Sequence, residues 1–432
     1  MLRRRLLVVI PAVATAIVAF VLLGPGQVRS VRAARVLAAG GELESLRVAL
    51  VSRSEGRDDP ATAASLAVFV GKETRPRWQG ELNAGVAEVV LAAPIDPQAD
   101  VRIEADGAVV ASGKLAAHQP AVATRGVGRA ATFENAGLTL AVEVTRGALV
   151  PPFPERVRLS LRDGATPTAG AEIIWTAVSA EPASGRVIVD EKGAAEIEIS
   201  ALAQPVLLSL EARIGSRTVS GEATLPVSMS GIYLSPSASG GGFELVSPGP
   251  RKTAYLSLYD GEGRYAGAVV PLTVDEKGFS RGRVSLEPAR PPVAVVVSGE
   301  PSEKGPSTVT WPPPGTVGTS EAPRLELVLD GMGAAIATER TRIARVRTLA
   351  ILSLSLAAAL EIALLLWVGR RESKNLAALG EALSEGDVGD LAEATPQATP
   401  PIGSRQSVLI VSVVALVLVM FVAVAHFSGL AP

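Results

Sequence analysis

The segment "GRVIVDEKGAAEIEIS" (Gly185–Ser200) contains the pattern that decides the fold. Apolar runs lie on both sides of "DEKG", and the second, "AEIEIS", alternates strictly, which is typical of a strand that buries one face. Asp190 at the first turn position and Gly193 at the fourth fit a type I turn that ends in a left-handed glycine. The segment therefore predicts two strands joined as a β-hairpin.

The motif "VDEKG" occurs at residues 189–193 and again at residues 274–278. We interpret the repeat as one β-hairpin in each of two successive modules, with the Glu and Lys side chains directed to water. The alternative is a calcium site, which needs several converging carboxylates and would draw on "YDGEG" at residues 259–263.

Short alternating runs bounded by Gly, Pro, Asp and Asn extend through residues 40–330. Their regular spacing predicts three tandem antiparallel β-sandwich modules, at residues 40–117, 130–228 and 229–302. Residues 303–347 contain "WPPPG" and other proline-rich stretches, and we expect them to form a stalk followed by a juxtamembrane helix. The predicted fold class is therefore mainly β.

The second module also resembles known sandwich families. The residues that carry the resemblance are "RGALVPPFPERVRLSLRDGATPTAGAEIIWTAV" (146–178) and "VIVDEKGAAEIEIS" (187–200), with a weaker repeat at residues 254–278. They are similar to the macroglobulin-like and bacterial Ig-like sandwiches of surface and periplasmic proteins. The thioester chemistry of complement-like macroglobulins needs a cysteine, and the chain has none. The resemblance therefore implies Ig-like or macroglobulin-like β-sandwich modules without that trapping chemistry.

Long apolar runs predict three transmembrane α-helices in addition to the sandwiches. The runs lie at residues 6–23, 348–368 and 408–427, and each is near the ~20 residues that cross ~30 Å of hydrocarbon. The first run follows three arginines and reads as an anchor within residues 1–29, or alternatively as a cleaved signal peptide. The sequence thus predicts modules held on a membrane anchor.

Basic residues flank the predicted spans equally on both sides, so the positive-inside count does not decide the orientation. Because the first helix usually dominates, we expect the large middle region outside the cytoplasm. The Ala-, Arg- and Gly-rich composition and the module type indicate a bacterial protein. The predicted location is the bacterial inner (cytoplasmic) membrane, multi-pass, with the large domain in the periplasm.

The candidate interaction residues lie in the C-terminal part of the chain. Glu361 interrupts the second apolar run, where a carboxylate is costly and is a functional hypothesis. It could be protonated and hydrogen-bonded within the bundle, with Ser412 nearest in depth, or it could pair with another membrane subunit. The predicted cytoplasmic loop, residues 369–406, contains Leu376, Leu379 and Leu383 at helical spacing, which indicates a short amphipathic helix. This helix could dock on a partner or lie at the membrane surface, or the segment could be a solvated connector.

Composition and motifs exclude several functions. Charge is nearly balanced, with 41 basic and 43 acidic residues, so no nucleic-acid partner is expected. With two histidines, no cysteine and no catalytic motif, we expect no enzyme activity, no metal and no cofactor. The predicted function is a membrane-anchored periplasmic interaction or scaffold protein, an accessory subunit of a bacterial envelope complex. Its expected partners are the lipid bilayer and other envelope proteins. A transmembrane sensor that relays periplasmic binding to the cytoplasmic loop is the alternative.

Overall fold

β-Strands form most of the part of the chain that the structure describes. This computed structural model describes residues 31–345 without 40–42, 55, 97, 117–122, 127–128, 236–241 and 287–289, and single helical positions between 348 and 381. The chain divides into two units, Met1–Arg29 with Ala337–Pro432, and Ser30–Ile336. The described strands all belong to the second unit, and a helix at residues 332–345 follows the last of them.

The strand bounds follow the chain in three groups. The first group is β1 (Val31–Ala38), β2 (Leu43–Ser54), β3 (Arg57–Pro60), β4 (Leu66–Val70), β5 (Trp78–Gly80), β6 (Val86–Ile95), β7 (Asp100–Ala105), β8 (Ala108–Lys114) and β9 (Thr124–Gly126). The second group is β10 (Arg129–Asn135), β11 (Leu138–Val144), β12 (Pro154–Asp163), β13 (Thr166–Pro167), β14 (Glu172–Val178), β15 (Ala180–Glu181), β16 (Ser184–Ile188), β17 (Ala194–Ala201), β18 (Val206–Ile214) and β19 (Arg217–Leu225). The third group is β20 (Tyr233–Leu234), β21 (Gly242–Ser247), β22 (Thr253–Tyr259), β23 (Arg264–Pro271), β24 (Thr273–Val274), β25 (Ser280–Ser285), β26 (Ala294–Ser298), β27 (Val309–Trp311), β28 (Thr319–Glu321) and β29 (Glu326–Asp330).

The first sandwich consists of two antiparallel sheets. Sheet A has the strand order β29-β1-β2-β3, with β6 also paired to β2, and sheet B has the order β5-β4-β7-β8. Alternate residues of β2 point into the core between these sheets, where Leu46, Val48 and Leu50 are buried. The opposite face of β2 is buried as well, so sheet A is covered on both sides.

The second sandwich shows the regular alternation that its sequence predicts. Sheet C has the order β10-β11-β12-β17-β15, with β13 on β12, and sheet D has the order β16-β14-β18-β19. On β12 the residues Val157, Leu159 and Leu161 are buried, while the residues between them are polar and more exposed. Trp175 on β14 closes the core from the side of sheet D.

The third sandwich packs sheet E, β20-β21-β25-β24, against sheet F, β23-β22-β26-β27. The order of the sheets shows that the described unit is built from β-sandwiches. The macroglobulin-like part of the resemblance stays a prediction.

The predicted fold class needs a correction, because its three transmembrane helices are not supported. Among the residues that the structure describes, no helix is long and apolar enough to cross a membrane. Residues 6–23 and 408–427 and most of 348–368 lie outside the described residues. The prediction rested on the length of apolar runs, and run length alone does not establish a continuous helix. The described helix at 332–345 is short and carries Arg340, Arg342 and Arg345.

The segment predicted as a stalk contains three strands, and two of them belong to the sandwiches. Its first strand, β27, is an edge of sheet F, and the side chain of Trp311 is completely buried there. The next, β28, pairs with β9, and β29 pairs with β1 to complete sheet A. The short apolar runs between the prolines explain the difference, because each supplies inward-facing residues to a core.

The two "VDEKG" segments form the same turn in different settings. The Oδ1 atom of Asp190 accepts hydrogen bonds from the backbone N–H groups of Lys192 and Ala194, both at 2.8 Å. Asp275 repeats this with Lys277 and Phe279, at 2.9 and 3.0 Å. The second copy joins β24 to β25 within sheet E, so the predicted hairpin is confirmed there. The first copy passes from β16 in sheet D to β17 in sheet C, so the hairpin prediction is wrong for that copy.

The two turn glycines provide a matched test of this difference. Both have left-handed φ angles, +73° for Gly193 and +83° for Gly278. A Cβ atom on Gly193 would lie 2.8 Å from the carbonyl oxygen of Leu161, whereas Gly278 faces open space. We expect Gly278→Ala to cost about 1 kcal/mol from backbone strain alone and Gly193→Ala to cost at least twice as much. Urea unfolding of the two variants measures this, and equal losses would contradict the sheet-crossing position of the first turn.

The role of β29 in sheet A leads to a second test. Val328 is 2% exposed and packs in the core of the first sandwich, whereas its neighbour Leu327 is 44% exposed. Val328→Asp should lower the free energy of unfolding by about 4 kcal/mol or more, because it places an unpaired charge in a core. Leu327→Asp, the control on the same strand, should cost less than about 1 kcal/mol. If this segment were a stalk, thermal unfolding would give the same midpoint for both.

Candidate functional site

The most unusual feature of the described unit is a buried charged joint between the first and third sandwiches. The face of β2 that looks away from its own core carries Ser45, Arg47 and Ala49, all of them buried. This face lies against sheet F of the third sandwich, where Tyr255 joins Ala49 and Val86 in a small apolar cluster. Sheets B, A, F and E are therefore stacked as layers, and the joint lies between the middle two.

Arg47 is at the centre of the joint and has no solvent exposure. Its Nε donates to Oε1 of Glu88 at 2.6 Å, and one Nη1 bond goes to Oε1 of Glu303 at 2.8 Å. The other guanidinium bonds go to the Pro301 carbonyl oxygen at 2.9 Å, the Leu256 carbonyl oxygen at 3.2 Å and Ser257 Oγ at 3.0 Å. An arginine has five N–H donors, so its bonding capacity is filled within the protein.

Arg264 enters the same joint from the start of β23. It donates from Nη1 to Ser45 Oγ at 2.6 Å and from Nε to Ser257 Oγ at 2.8 Å, and it forms an ion pair with the second oxygen of Glu88. The side chain folds back over Gly267, where a Cβ atom would lie 2.0 Å from the Arg264 Nη2 atom. A glycine at this position is therefore required for the arginine to reach the joint.

Glu303 supplies the second carboxylate from the loop between β26 and β27. Its backbone φ of +54° is unusual for a residue with a side chain. Its Oε1 atom accepts from Arg47 and Ser257, and its Oε2 atom accepts from the Tyr259 hydroxyl at 3.2 Å. Two arginines and two glutamates thus balance their charges inside the joint, as a buried ion cluster requires.

The protonation states in the joint follow from these contacts. Burial works against the charge of Arg47, but Glu88 and Glu303 outweigh it, so its pKa is raised and it stays charged. Burial and the neighbouring Glu303 raise the pKa of Tyr259 well above its ordinary value, so its hydroxyl stays a neutral donor. The joint therefore combines a charged arginine with a neutral tyrosine donor, and both carboxylates are occupied by guanidinium groups.

A second arginine joins the second and third sandwiches. Arg146, in the loop after β11, donates to Oε2 of Glu155 from Nε and Nη2, at 2.9 and 2.6 Å. Its Nη1 donates to the Leu234 carbonyl oxygen at 2.6 Å. Its guanidinium carbon lies 4.8 Å from the ring centroids of both Tyr233 and Trp311. Buried cation–aromatic contacts of this kind strengthen as water is removed, so this joint is also fixed.

A third arginine pairs with the carboxylates of "YDGEG". Arg290 forms ion pairs with Asp260 at 3.1 Å, Glu262 at 3.1 Å and Glu44 of the first sandwich at 2.5 Å. Burial and the nearby Asp260 raise the pKa of Tyr265, whose ring lies beside this guanidinium, to about 12. These carboxylates therefore pair with an arginine. Within the described residues no group of three or more His, Asp or Glu side chains could hold a metal ion.

A polar cleft of about 380 Å³ opens beside the first joint. Its walls come from the loop before β27 and from the segment around β28, and the residues include Glu303, Lys304, Thr308, Thr310, Ser320 and Arg324. Both oxygens of Glu303 are hydrogen-bonded inside the joint. That carboxylate is therefore not available to the cleft as an acid or a base.

The residues that the sequence predicted as interaction sites lie outside the described residues. They are Glu361, Ser412, Leu376, Leu379 and Leu383. Their roles stay predictions. The joint residues were missed because each is an ordinary charged residue in its local sequence. The available signal was the lack of alternation in "AYLSLY" and "VAVVVS", which is typical of strands buried on both faces.

Comparisons with known proteins do not assign the chain to a family. No protein-family model matches the chain, and no curated protein matches it. Among solved structures, it is similar to invasin, a bacterial integrin-binding protein, at 12% identity and a TM-score of 0.18, over 62% of this chain and 56% of that chain. It is also similar to the D0–D1 domain of intimin, at 13% identity and a TM-score of 0.16, over 45% of this chain and 97% of that one. Similarities this low carry no argument about function, and the chain spans little more than half of the invasin chain.

Removing one partner from the ion cluster tests its importance. Glu303→Ala should destabilise the third sandwich by about 3–5 kcal/mol, because it leaves Arg47 buried with half of its negative partners. Lys304→Ala, at the neighbouring exposed position, should change stability by less than about 0.5 kcal/mol. Denaturant unfolding followed by tryptophan fluorescence, to which the buried Trp311 contributes, measures both. A Glu303→Ala variant as stable as the Lys304 control would show that the cluster does not hold the joint.

Proposed function

We propose that the chain is a non-enzymatic interaction or scaffold protein, an accessory subunit of a bacterial envelope complex, and that it works through protein partners. The observation that carries the proposal is the pair of buried arginine joints, at Arg47 and at Arg146. They fix the third sandwich to both of the others. A scaffold benefits from such fixed geometry, because a surface ordered before binding loses less entropy when a partner docks.

The occupied carboxylates of the joints support a non-enzymatic role. A general acid or base must reach a substrate and exchange a proton with it. Glu88, Glu303 and Glu155 instead accept hydrogen bonds from buried arginines. Asp260 is held by Arg290 and by backbone N–H groups of its own turn. These groups work as structural anchors.

The first and last strands of Ser30–Ile336 lie side by side. Strands β1 and β29 are antiparallel neighbours, with Arg35 opposite Asp330. The Gly331 N–H donates to the Ala34 carbonyl oxygen at 2.9 Å. The chain therefore begins and ends its run of sandwiches in the same sheet. We place this unit on the periplasmic side of the inner membrane.

Cross-linking in bacterial cells tests both the role and the location. A reagent that does not cross the inner membrane should capture the full chain with defined envelope proteins, which mass spectrometry then identifies. Arg146→Ala should lower the yield of the cross-linked complex several-fold, because it loosens the second sandwich. The control Arg156→Ala removes an exposed arginine of β12 and should leave the yield unchanged.

Two outcomes would contradict the proposal. A chain that reacts with the reagent but is recovered only as a lone monomer has no envelope partner. A chain that reacts only after the cells are broken open is cytoplasmic. In either case the scaffold role would have to be abandoned.

A further inference from the structure

We propose that the exposed edge of β16 is a docking site for an extended protein strand that carries an acidic side chain opposite Arg186. This proposal rests on the interaction role proposed above and names the surface and the partner chemistry. Strand β16, Ser184–Ile188, is the outer strand of sheet D, and within the described residues no strand pairs with its other side.

The hydrogen-bond pattern shows which backbone groups face outward. Val189 N–H donates to the Ala171 carbonyl oxygen at 2.9 Å, and Ala177 N–H donates to the Ala183 carbonyl oxygen at 2.7 Å. Bonded pairs recur at every second residue of an antiparallel ladder. Gly185 and Val187 therefore bond to β14.

The intervening residues Ser184, Arg186 and Ile188 direct their N–H and C=O groups away from the sheet. This row of donors and acceptors is the feature that binds extended segments in strand addition. The side chains of the same residues are exposed on the outer face of sheet D. An added strand would thus meet free backbone groups and side chains together.

The side chains of β16 set the preferred partner sequence. Ile188 is 70% exposed, which is unusual for a large apolar residue, and it would contact an apolar side chain on the added strand. The Arg186 side chain is 82% exposed and lies 3.6 Å from Glu172, which is a loose ion pair. Its remaining donors favour a carboxylate directly opposite, since opposite charges on neighbouring strands stabilise a pair.

Several other strands in the described residues are already paired or are unsuitable. Strand β1 is covered by β29, and β9 pairs with β28. Strand β10 lies against β19, where the Asn135 side chain caps the Thr218 carbonyl oxygen at 2.8 Å. The edge strand β3 has the sequence "RDDP", and charges and proline discourage strand addition. Strand β16 combines an open backbone with an exposed apolar residue.

A second copy of the chain is a less suitable occupant. A two-fold pairing centred on Arg186 places two arginines opposite each other, and like charges there destabilise the pair. The acidic partner strand avoids this repulsion. Self-association therefore serves as an outcome that the experiment distinguishes.

The test uses the purified full chain and two synthetic strand peptides rich in Val and Thr, one with a central Glu and one with Lys in its place. We expect the Glu peptide to bind more tightly and to slow the hydrogen exchange of the Arg186 and Ile188 amides, as measured by NMR. The Val187 amide, already bonded to β14, should be protected with and without the peptide. Arg186→Glu should reverse the preference, by about fivefold for each peptide.

Two further variants separate the backbone from the charge. Arg186→Pro removes an outward N–H, which an edge strand tolerates, and should weaken both peptides about tenfold or more. The control Arg156→Glu changes an arginine with a similarly loose ion pair on β12, which has neighbours on both sides. It should leave peptide binding unchanged.

Several results would overturn the proposal. They are equal binding of the two peptides, no protection of the Arg186 amide, or protection that grows with protein concentration alone, which indicates self-association. The proposed function can fail separately. If partners remain cross-linked to the Arg186→Pro variant, the scaffold role stands but the β16 edge is not the site that binds them. If the chain binds the Glu peptide but has no envelope partners, the docking site on β16 stands and the scaffold role fails.

Discussion

The arrangement of the described unit depends on keeping Arg47 charged at a position with no solvent exposure. Removing an arginine from solvent costs several kcal/mol unless its partners replace every hydrogen bond. The chain meets this requirement with groups from distant positions: Glu88 on the same sheet, Ser257 on sheet F and Glu303 on a loop. Each element that supplies a partner must be in place before the arginine is satisfied. The cluster therefore works as a geometric constraint, and a misplaced module would leave a buried charge unpaired.

Several local irregularities follow from that constraint. The left-handed backbone of Glu303 turns its carboxylate into the joint, and Gly267 is small enough for Arg264 to lie across it. Strand β29 has a related role, because it brings the chain back from the third sandwich and completes the sheet that holds Arg47. An apolar cluster that contains Leu37, Tyr259 and Val296 also joins the first and third sandwiches, so packing and charge pairing reinforce each other. The three sandwiches are thus connected more strongly than modules joined only by flexible linkers.

The sequence predicts the parts of this structure that depend on local patterns. Alternation along β12 and β14 identifies the second sandwich, because each strand buries one face only. The Asp–Gly chemistry of "VDEKG" predicts both turns, but not that the first copy crosses between sheets, since that depends on which strands its neighbours join. The proline-rich segment was misleading, because Trp311 and Val328 are buried by strands far away in sequence. Nothing near Arg47 or Glu303 in sequence marks them as partners, so the joint could not be predicted from local patterns.

The same closure pairs several strand edges and leaves that of β16 open. A β-rich chain must protect many strand edges, and this one does so by pairing its own segments: β29 on β1, β28 on β9, and β10 against β19. The first two of these pairs bring distant parts of the chain together. Strand β16 at the edge of sheet D has no such partner among the described residues, because the first "VDEKG" turn carries the chain directly to the opposite sheet without adding a strand there. The turn that builds the second sandwich therefore also leaves the backbone of β16 unpaired, and the exposed Ile188 and Arg186 give that edge a preference for one kind of strand.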